Sequence, residues 1–180
     1  MKYVIEHLEP ELNEWSIIEY KHISKLVGKD NLIITNIKEK ERLEGYAEIK
    51  KESINSLKLK NSCVLDPAAE KTLSPDEKFD YLIFGGILGN SPAEGRTKLI
   101  TLKAERRNLG AAQMPTDNAV IAAKLISEGA PIEKLQFITD LEIKMGENES
   151  VVFPFTYIVI NNKPLVSKEL IEYLKHREDF

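Results

Sequence analysis

A largely parallel α/β sheet, covered on both faces, is the fold class this sequence predicts. Two observations carry it: short apolar, strand-like runs alternate with amphipathic helical segments, and glycine and proline signals separate them. At 180 residues the chain is long enough for one well-buried core and short for two, so a single domain over 1–180 is expected.

The elements follow in order. Residues 1–6, with Lys-Tyr-Val-Ile-Glu at their centre, open as a strand inside the sheet. From Glu14, the positions Trp15, Ile18, His22, Ile23, Leu26 and Val27 recur at three- and four-residue spacing and Gly28 follows as a stop, which makes an amphipathic helix. Residues 31–35 read as the second strand. The stretch 38–59 is charged, weakly helical in period and broken at Gly45. Residues 63–65 form a third strand, which Asp66-Pro67 closes because the residue before proline is driven out of helix. Ser74-Pro75-Asp76 is a turn ahead of the strand 81–84. Ser91 as N-cap and Pro92 at the first position predict a short helix over 92–99. Two Gly- and Pro-punctuated loops, 106–110 and 113–117, lead into a helix over 118–128 ended by Gly129. Strands at 135–139 and 151–160, a turn at Asn161-Asn162-Lys163, and a helix over 168–176 capped by Ser167 complete the chain.

The densest signal is the run from Phe79 to Gly89. A buried apolar strand ends in Gly85-Gly86-Ile87-Leu88-Gly89, which removes side chains at a strand's carboxyl end, where ligands of such sheets bind. Apolar Ile87 and Leu88 favour a flat, partly apolar ligand over a bare phosphate. A tight structural turn is the alternative. The spacing excludes a Rossmann Gly-x-Gly-x-x-Gly turn, and no Gly-Lys-Ser/Thr follows for a P-loop. His7, His22 and His176 lie far apart and Cys63 is the one cysteine, so no metal site and no intrachain disulfide are expected. No Gly-x-Ser-x-Gly elbow occurs. A reducing, cytoplasmic location and no membrane span are expected, since no secretory leader or long apolar run is present. The net charge of −4 argues against a broad basic face for nucleic acid, although a local patch stays open.

Phe79 to Gly89, Arg96-Thr97-Lys98 and Arg106-Arg107-x-Leu109-Gly110-x-x-Gln113-Met114-x-Thr116-Asp117 together resemble the SPOUT methyltransferases with a C-terminal trefoil knot. The branch they resemble is that of the yeast SPOUT-type protein arginine methyltransferase and its archaeal relatives, which are also called SAM-dependent RNA methyltransferases. Glu6-His7, Glu14-Trp15, Glu19-Tyr20, Leu65-Asp66-Pro67 and Pro154-Phe155-x-Tyr157 extend the resemblance over nearly the whole chain, least in 38–59 and after Ser167.

The resemblance implies a SPOUT-like α/β knot with S-adenosyl-L-methionine held by three loops. The cofactor-binding residues it implies are Gly85, Gly86, Ile87, Leu88 and Gly89, then Arg106, Leu109 and Gly110, then Gln113, Met114, Thr116 and Asp117. Thr116 and Asp117 also read as N-capping residues of the next helix.

Methyl transfer from a sulfonium is an in-line displacement that depends chiefly on alignment. A guanidinium acceptor also needs carboxylates to hold it and take its proton. Glu6, Glu9, Glu11 and Glu14 follow the first strand; Glu6 is the first catalytic candidate and Glu14 the second, against the plainer reading of a solvated acidic loop. Arg96, Lys98, Lys103, Arg106 and Arg107 cluster around the glycine loop and leave RNA open as acceptor. The acidic segment and net charge favour a protein arginine, and the resemblance implies one on a ribosomal protein. Ribosomal or transfer RNA, or a non-catalytic ribosome-assembly module, are the alternatives. A monomer is favoured over a homodimer.

Overall fold

The computed structural model describes residues 1–86, 95–144 and 150–176. Six strands run parallel in the order β3-β2-β1-β5-β4-β6: β1 (Lys2–His7), β2 (Leu32–Thr35), β3 (Glu48–Ile49), β4 (Ser62–Leu65), β5 (Tyr81–Gly86) and β6 (Glu105–Arg107). β2 and β4 are buried at every position, as strands covered on both faces must be. Tyr3, Ile5, Ile34, Leu65 and Phe84 point to one face, where α1 (Glu14–Val27) and α2 (Thr116–Ser127) pack Ile17, Tyr20, Ile23, Val120 and Ile126 against them. Val4, Ile33, Val64 and Ile83 point to the other, which the described residues cover with loop side chains including Ile54, Leu57, Ile100 and Leu102.

The later strands leave this sheet. β7 (Phe137–Lys144), β8 (Ser150–Ile160) and β9 (Lys163–Pro164) form a separate antiparallel sheet, with α3 (Lys168–Lys175) packed on it through Leu174. The backbone N–H of Thr156 in β8 donates to Gln113 O at 2.8 Å and so ties this sheet to the loop before α2.

Most predicted elements form, with informative differences. α1 is capped by Asn13, whose side chain accepts from Ser16 N at 2.9 Å, and ends at Gly28 with φ 84°. Its buried stripe includes Ser16, Glu19, Tyr20 and Ser24, whereas the sequence pointed to Trp15, Ile18 and His22. The reason is that α1 is covered twice: Tyr20 and Ile23 meet the parallel sheet while Trp15 packs beside Phe153 of the second sheet. α2 starts at Thr116, two residues before the expected 118, because Pro115 is extended and the helical turn follows it directly. The predicted helix over 92–99 lies partly outside the described residues; from Gly95, in the left-handed region at φ 63°, the chain makes a 3-10 turn, Arg96–Leu99, instead. Segment 38–59 holds two 3-10 turns and β3 rather than a helix. Ser167 caps α3 as expected, accepting from Leu170 N at 3.3 Å.

Candidate functional site

At the carboxyl edge of β4, β5 and β6 lies a cavity of about 400 Å³, within the range of small-ligand sites. Leu65 enters it from β4 and Asp66 and Pro67 from just after it, Phe84 and Gly85 from β5, Leu109, Gly110, Ala112, Gln113 and Met114 from the loop after β6, and Thr116 and Ala119 from α2. Gly95, Arg96, Thr97 and Lys98 complete the lining. Gly110 turns the loop at φ 85°, a conformation that favours glycine. Thr116 Oγ1 reaches Gly85 O at 3.5 Å, so the start of α2 is seated against the end of β5. Apolar walls beside exposed backbone groups suit a flat, partly polar molecule such as an adenosyl group.

Of the cofactor candidates, Gly85, Leu109, Gly110, Gln113, Met114 and Thr116 meet at this cavity. Ile87, Leu88 and Gly89 lie outside the described residues. Gly86 is not among the lining residues; a Cβ built there would overlap the Tyr20 hydroxyl and come within 2.8 Å of Ile5 Cγ2, so core packing by itself requires a glycine at this position. Arg106 does not line the cavity; it pairs with Asp66 at 2.6 Å and donates to Ile100 O, and thereby supports a residue that does. The three arginines of the expected basic cluster are paired with carboxylates. Arg96 pairs with Glu9 at 2.7 Å, and Arg107 with Glu77 at 2.5 Å and Glu105 at 3.1 Å.

A second cavity of about 200 Å³ adjoins the first across the segment Met114-Pro115-Thr116-Asp117. Met114 borders both; Thr116 faces the first, while Pro115 and Asp117 face the second. Trp15, Phe155, Tyr157, Val166 and Leu170 form an apolar and aromatic wall, with Ser167 beside them. Within it stand two buried carboxylates, Glu19 and Asp117. Glu19 Oε1 accepts the Asp117 backbone N–H at 3.3 Å. Burial first, and the Asp117 charge second, push the Glu19 carboxyl up to about 8, against the pull of hydrogen bonds from Thr116 and Asp117. Asp117 Oδ1 accepts from the backbone and side-chain nitrogens of Asn118 at 2.7 and 2.8 Å, and Oδ2 lies 2.8 Å from His22 Nδ1. The Tyr157 hydroxyl is raised above the ordinary phenol range by burial and by both carboxylates.

Asp117, expected among the cofactor residues, thus faces the second cavity. The catalytic candidates line neither. Glu6 is buried, and its oxygens accept from Thr35 Oγ1, from Ser53 Oγ at 2.5 Å and from Ile54 N at 2.9 Å, which leaves it a clamp between strand ends. Glu14 is exposed and pairs with Arg42 at 2.8 Å. Glu19 entered the sequence analysis only within the family resemblance, with no catalytic or binding role expected of it. The signal was available: it is a carboxylate inside a helical segment whose neighbours Ile17, Tyr20 and Ile23 all go to the core. Among the described residues no cluster of His, Cys, Asp and Glu could hold a metal, and no helix is long and apolar enough to cross a membrane.

The profile of the family described as protein arginine N-methyltransferase SFM1-like matches residues 2–179. The protein arginine N-methyltransferase SFM1 of Saccharomyces cerevisiae is 34% identical over 202 residues, an alignment covering 97% of this chain and 94% of the yeast protein. The crystal structure of yeast SFM1 complexed with SAM superposes with a TM-score of 0.88 at 32% identity, over 97% of this chain and 89% of that one. A Trm10 structure from Thermococcus kodakaraensis, 18% identical over 74% of this chain and 96% of its own, has a TM-score of 0.58 and shares the fold. The expected SPOUT-type α/β frame and the expected SAM-dependent methyltransferase class agree with these findings. Matched from Lys2 onward almost to its last residue, the chain belongs to the SFM1-like family of protein arginine N-methyltransferases.

Proposed function

We propose that this protein methylates an arginine side chain of a ribosomal protein, with the donor in the larger cavity and the acceptor in the smaller. One observation carries the reading: the segment from Met114 to Asp117 is a shared wall between an apolar, backbone-lined cavity and an aromatic one holding two buried carboxylates. The second suits an arginine, whose apolar stem needs a greasy channel and whose guanidinium needs carboxylate partners. The donor loops at 85–89, 106–110 and 113–117, and their threading into a trefoil knot, belong to this proposal, as does a cytoplasmic setting.

S-adenosylmethionine held by Gly85, Leu109, Gly110, Gln113, Met114 and Thr116 in the larger cavity would supply a sulfonium methyl to the acceptor nitrogen, with the electron pair of its S–C bond left on sulfur. The chain's residues do the rest. Trp15, Phe155 and Tyr157 exclude water around the acceptor, and Asp117 and Glu19 hold the guanidinium. Glu19 takes the proton that the attacking nitrogen sheds, a role that suits a carboxyl pushed up to about 8 better than an ordinary surface glutamate. Glu6 and Glu14 are thereby replaced as catalytic candidates by a residue that faces the acceptor.

Neutralisation of Arg96, Arg106 and Arg107 by carboxylates favours a protein over an RNA backbone. Cell extract incubated with methyl-labelled donor and this enzyme is expected to carry label in a protease-sensitive band, released on hydrolysis as methylarginine. Label that survives protease and is lost to ribonuclease overturns the acceptor assignment.

A further inference from the structure

The Asp117 carboxylate in the acceptor cavity does not stand alone. Its Oδ1 accepts two hydrogen bonds from Asn118, and its Oδ2 lies 2.8 Å from His22 Nδ1. Because a carboxylate oxygen accepts, His22 Nδ1 is the donor of this contact. His22 does not line the cavity; it sits one turn beyond Glu19 on α1, with 11% of its side chain exposed. The charged groups around it are Asp117 from α2, Glu19 on its own helix, and Glu169 from α3, itself paired with Lys25 at 2.5 Å. Tyr157 from β8 faces the two cavity carboxylates.

The geometry points to His22 as a positioning residue for the acceptor: through Asp117 it fixes where a cavity carboxylate sits against a guanidinium. This rests on the acceptor-cavity reading above. The Nδ1–H holds Oδ2 in place, so that the carboxylate meets the ligand in one orientation. Replacing the ring by alanine frees the carboxylate to rotate. Replacing it by asparagine puts an amide N–H where Nδ1 was, so the hydrogen bond persists.

The test uses Nα-acetyl-arginine amide as probe, with its dissociation constant measured by NMR titration at pH 8.5. At pH 8.5 His22→Ala is expected to weaken binding about tenfold, the scale of one charge-assisted hydrogen bond, and His22→Asn to bind as the parent does. Parent-like binding by His22→Ala overturns the inference, as does His22→Asn tracking the alanine variant. Glu19→Gln separates the two levels of argument: if it leaves probe binding unchanged, the cavity itself is misassigned and the role of His22 goes with it. If Glu19→Gln weakens binding while His22→Ala does not, the cavity stands and only His22 is wrong.

Discussion

At Gly86 the missing Cβ is what lets Tyr20 close the core beneath the end of β5. A methyl group there would overlap the Tyr20 hydroxyl and press on Ile5, both in the buried cluster under α1. Gly86→Ala is therefore expected to cost about 1–3 kcal/mol of stability, as overpacked cores do, read from the shift in urea midpoint. An unchanged midpoint would mean that Tyr20 has room to move. Glu19 is the other residue whose environment sets a measurable property. Its folded-state pKa of about 8 lies above the ordinary value of 4.5, so the folded chain holds a proton that the unfolded chain has lost. The resulting stabilisation is fully present below about pH 4.5 and disappears as pH rises through about 8. Urea midpoints are expected to decline over that window, and to decline less in Glu19→Gln. Binding runs the other way. A guanidinium favours the ionised carboxylate, so acceptor affinity is expected to rise with pH toward 8, with proton release visible in calorimetry across buffers of different ionisation enthalpy. Release that is no greater than in Glu19→Gln would remove Glu19 from the acceptor site.

Two buried polar side chains join elements at long range. Asn118 is fully buried; its Nδ2 donates to Leu165 O at 3.1 Å and its Oδ1 accepts from Ile158 N at 2.8 Å, so it ties α2 to both β8 and the segment before α3. Asn118→Ala leaves these backbone groups unpaired and is expected to cost roughly 2–4 kcal/mol, measured by denaturation. Glu6 likewise joins β1 to β2 and to the segment at 53–54. Glu6→Gln is expected to lower stability by about 1–3 kcal/mol and to leave the dissociation constant for S-adenosylmethionine within twofold. A loss of donor affinity at unchanged stability would restore Glu6 to the site. These clamps explain what the sequence could not convey. The strands read at 31–35, 63–65 and 81–84 and the end of α1 at Gly28 were legible because apolar runs and stop signals are local, although β5 runs on through Gly85 and Gly86, which read as loop. The antiparallel pairing of β7 with β8 was not, since both read simply as strands and their separation from the main sheet depends on partners far along the chain. The buried face of α1 was misread for the same reason: a helix covered on two sides has no single apolar stripe.

The site divides along the same line at the scale of the whole molecule. Leu109, Gly110, Gln113, Met114 and Thr116 come from one punctuated stretch and converge on the larger cavity, whereas the smaller one takes Trp15 and Glu19 from α1, Asp117 from α2 and Tyr157 from β8, whose proximity no local pattern announces. Both cavities are walled by this one chain, and the segment from Met114 to Asp117 belongs to each. That arrangement bears on the oligomer more directly than any surface does. If donor and acceptor meet within one chain, a copy defective in the donor cavity and a copy defective in the acceptor cavity each lack something the other cannot lend. Mixing Leu109→Trp, which fills the larger cavity, with Glu19→Gln is therefore expected to give no more activity than the sum of the two alone, whatever the association state. Enzymes that complete each site across a two-fold interface behave differently, because a mixed pair regenerates one intact site. Recovered methyl transfer on mixing, in proportion to the mixed pairs formed, would place donor and acceptor on different chains and overturn the shared-wall reading.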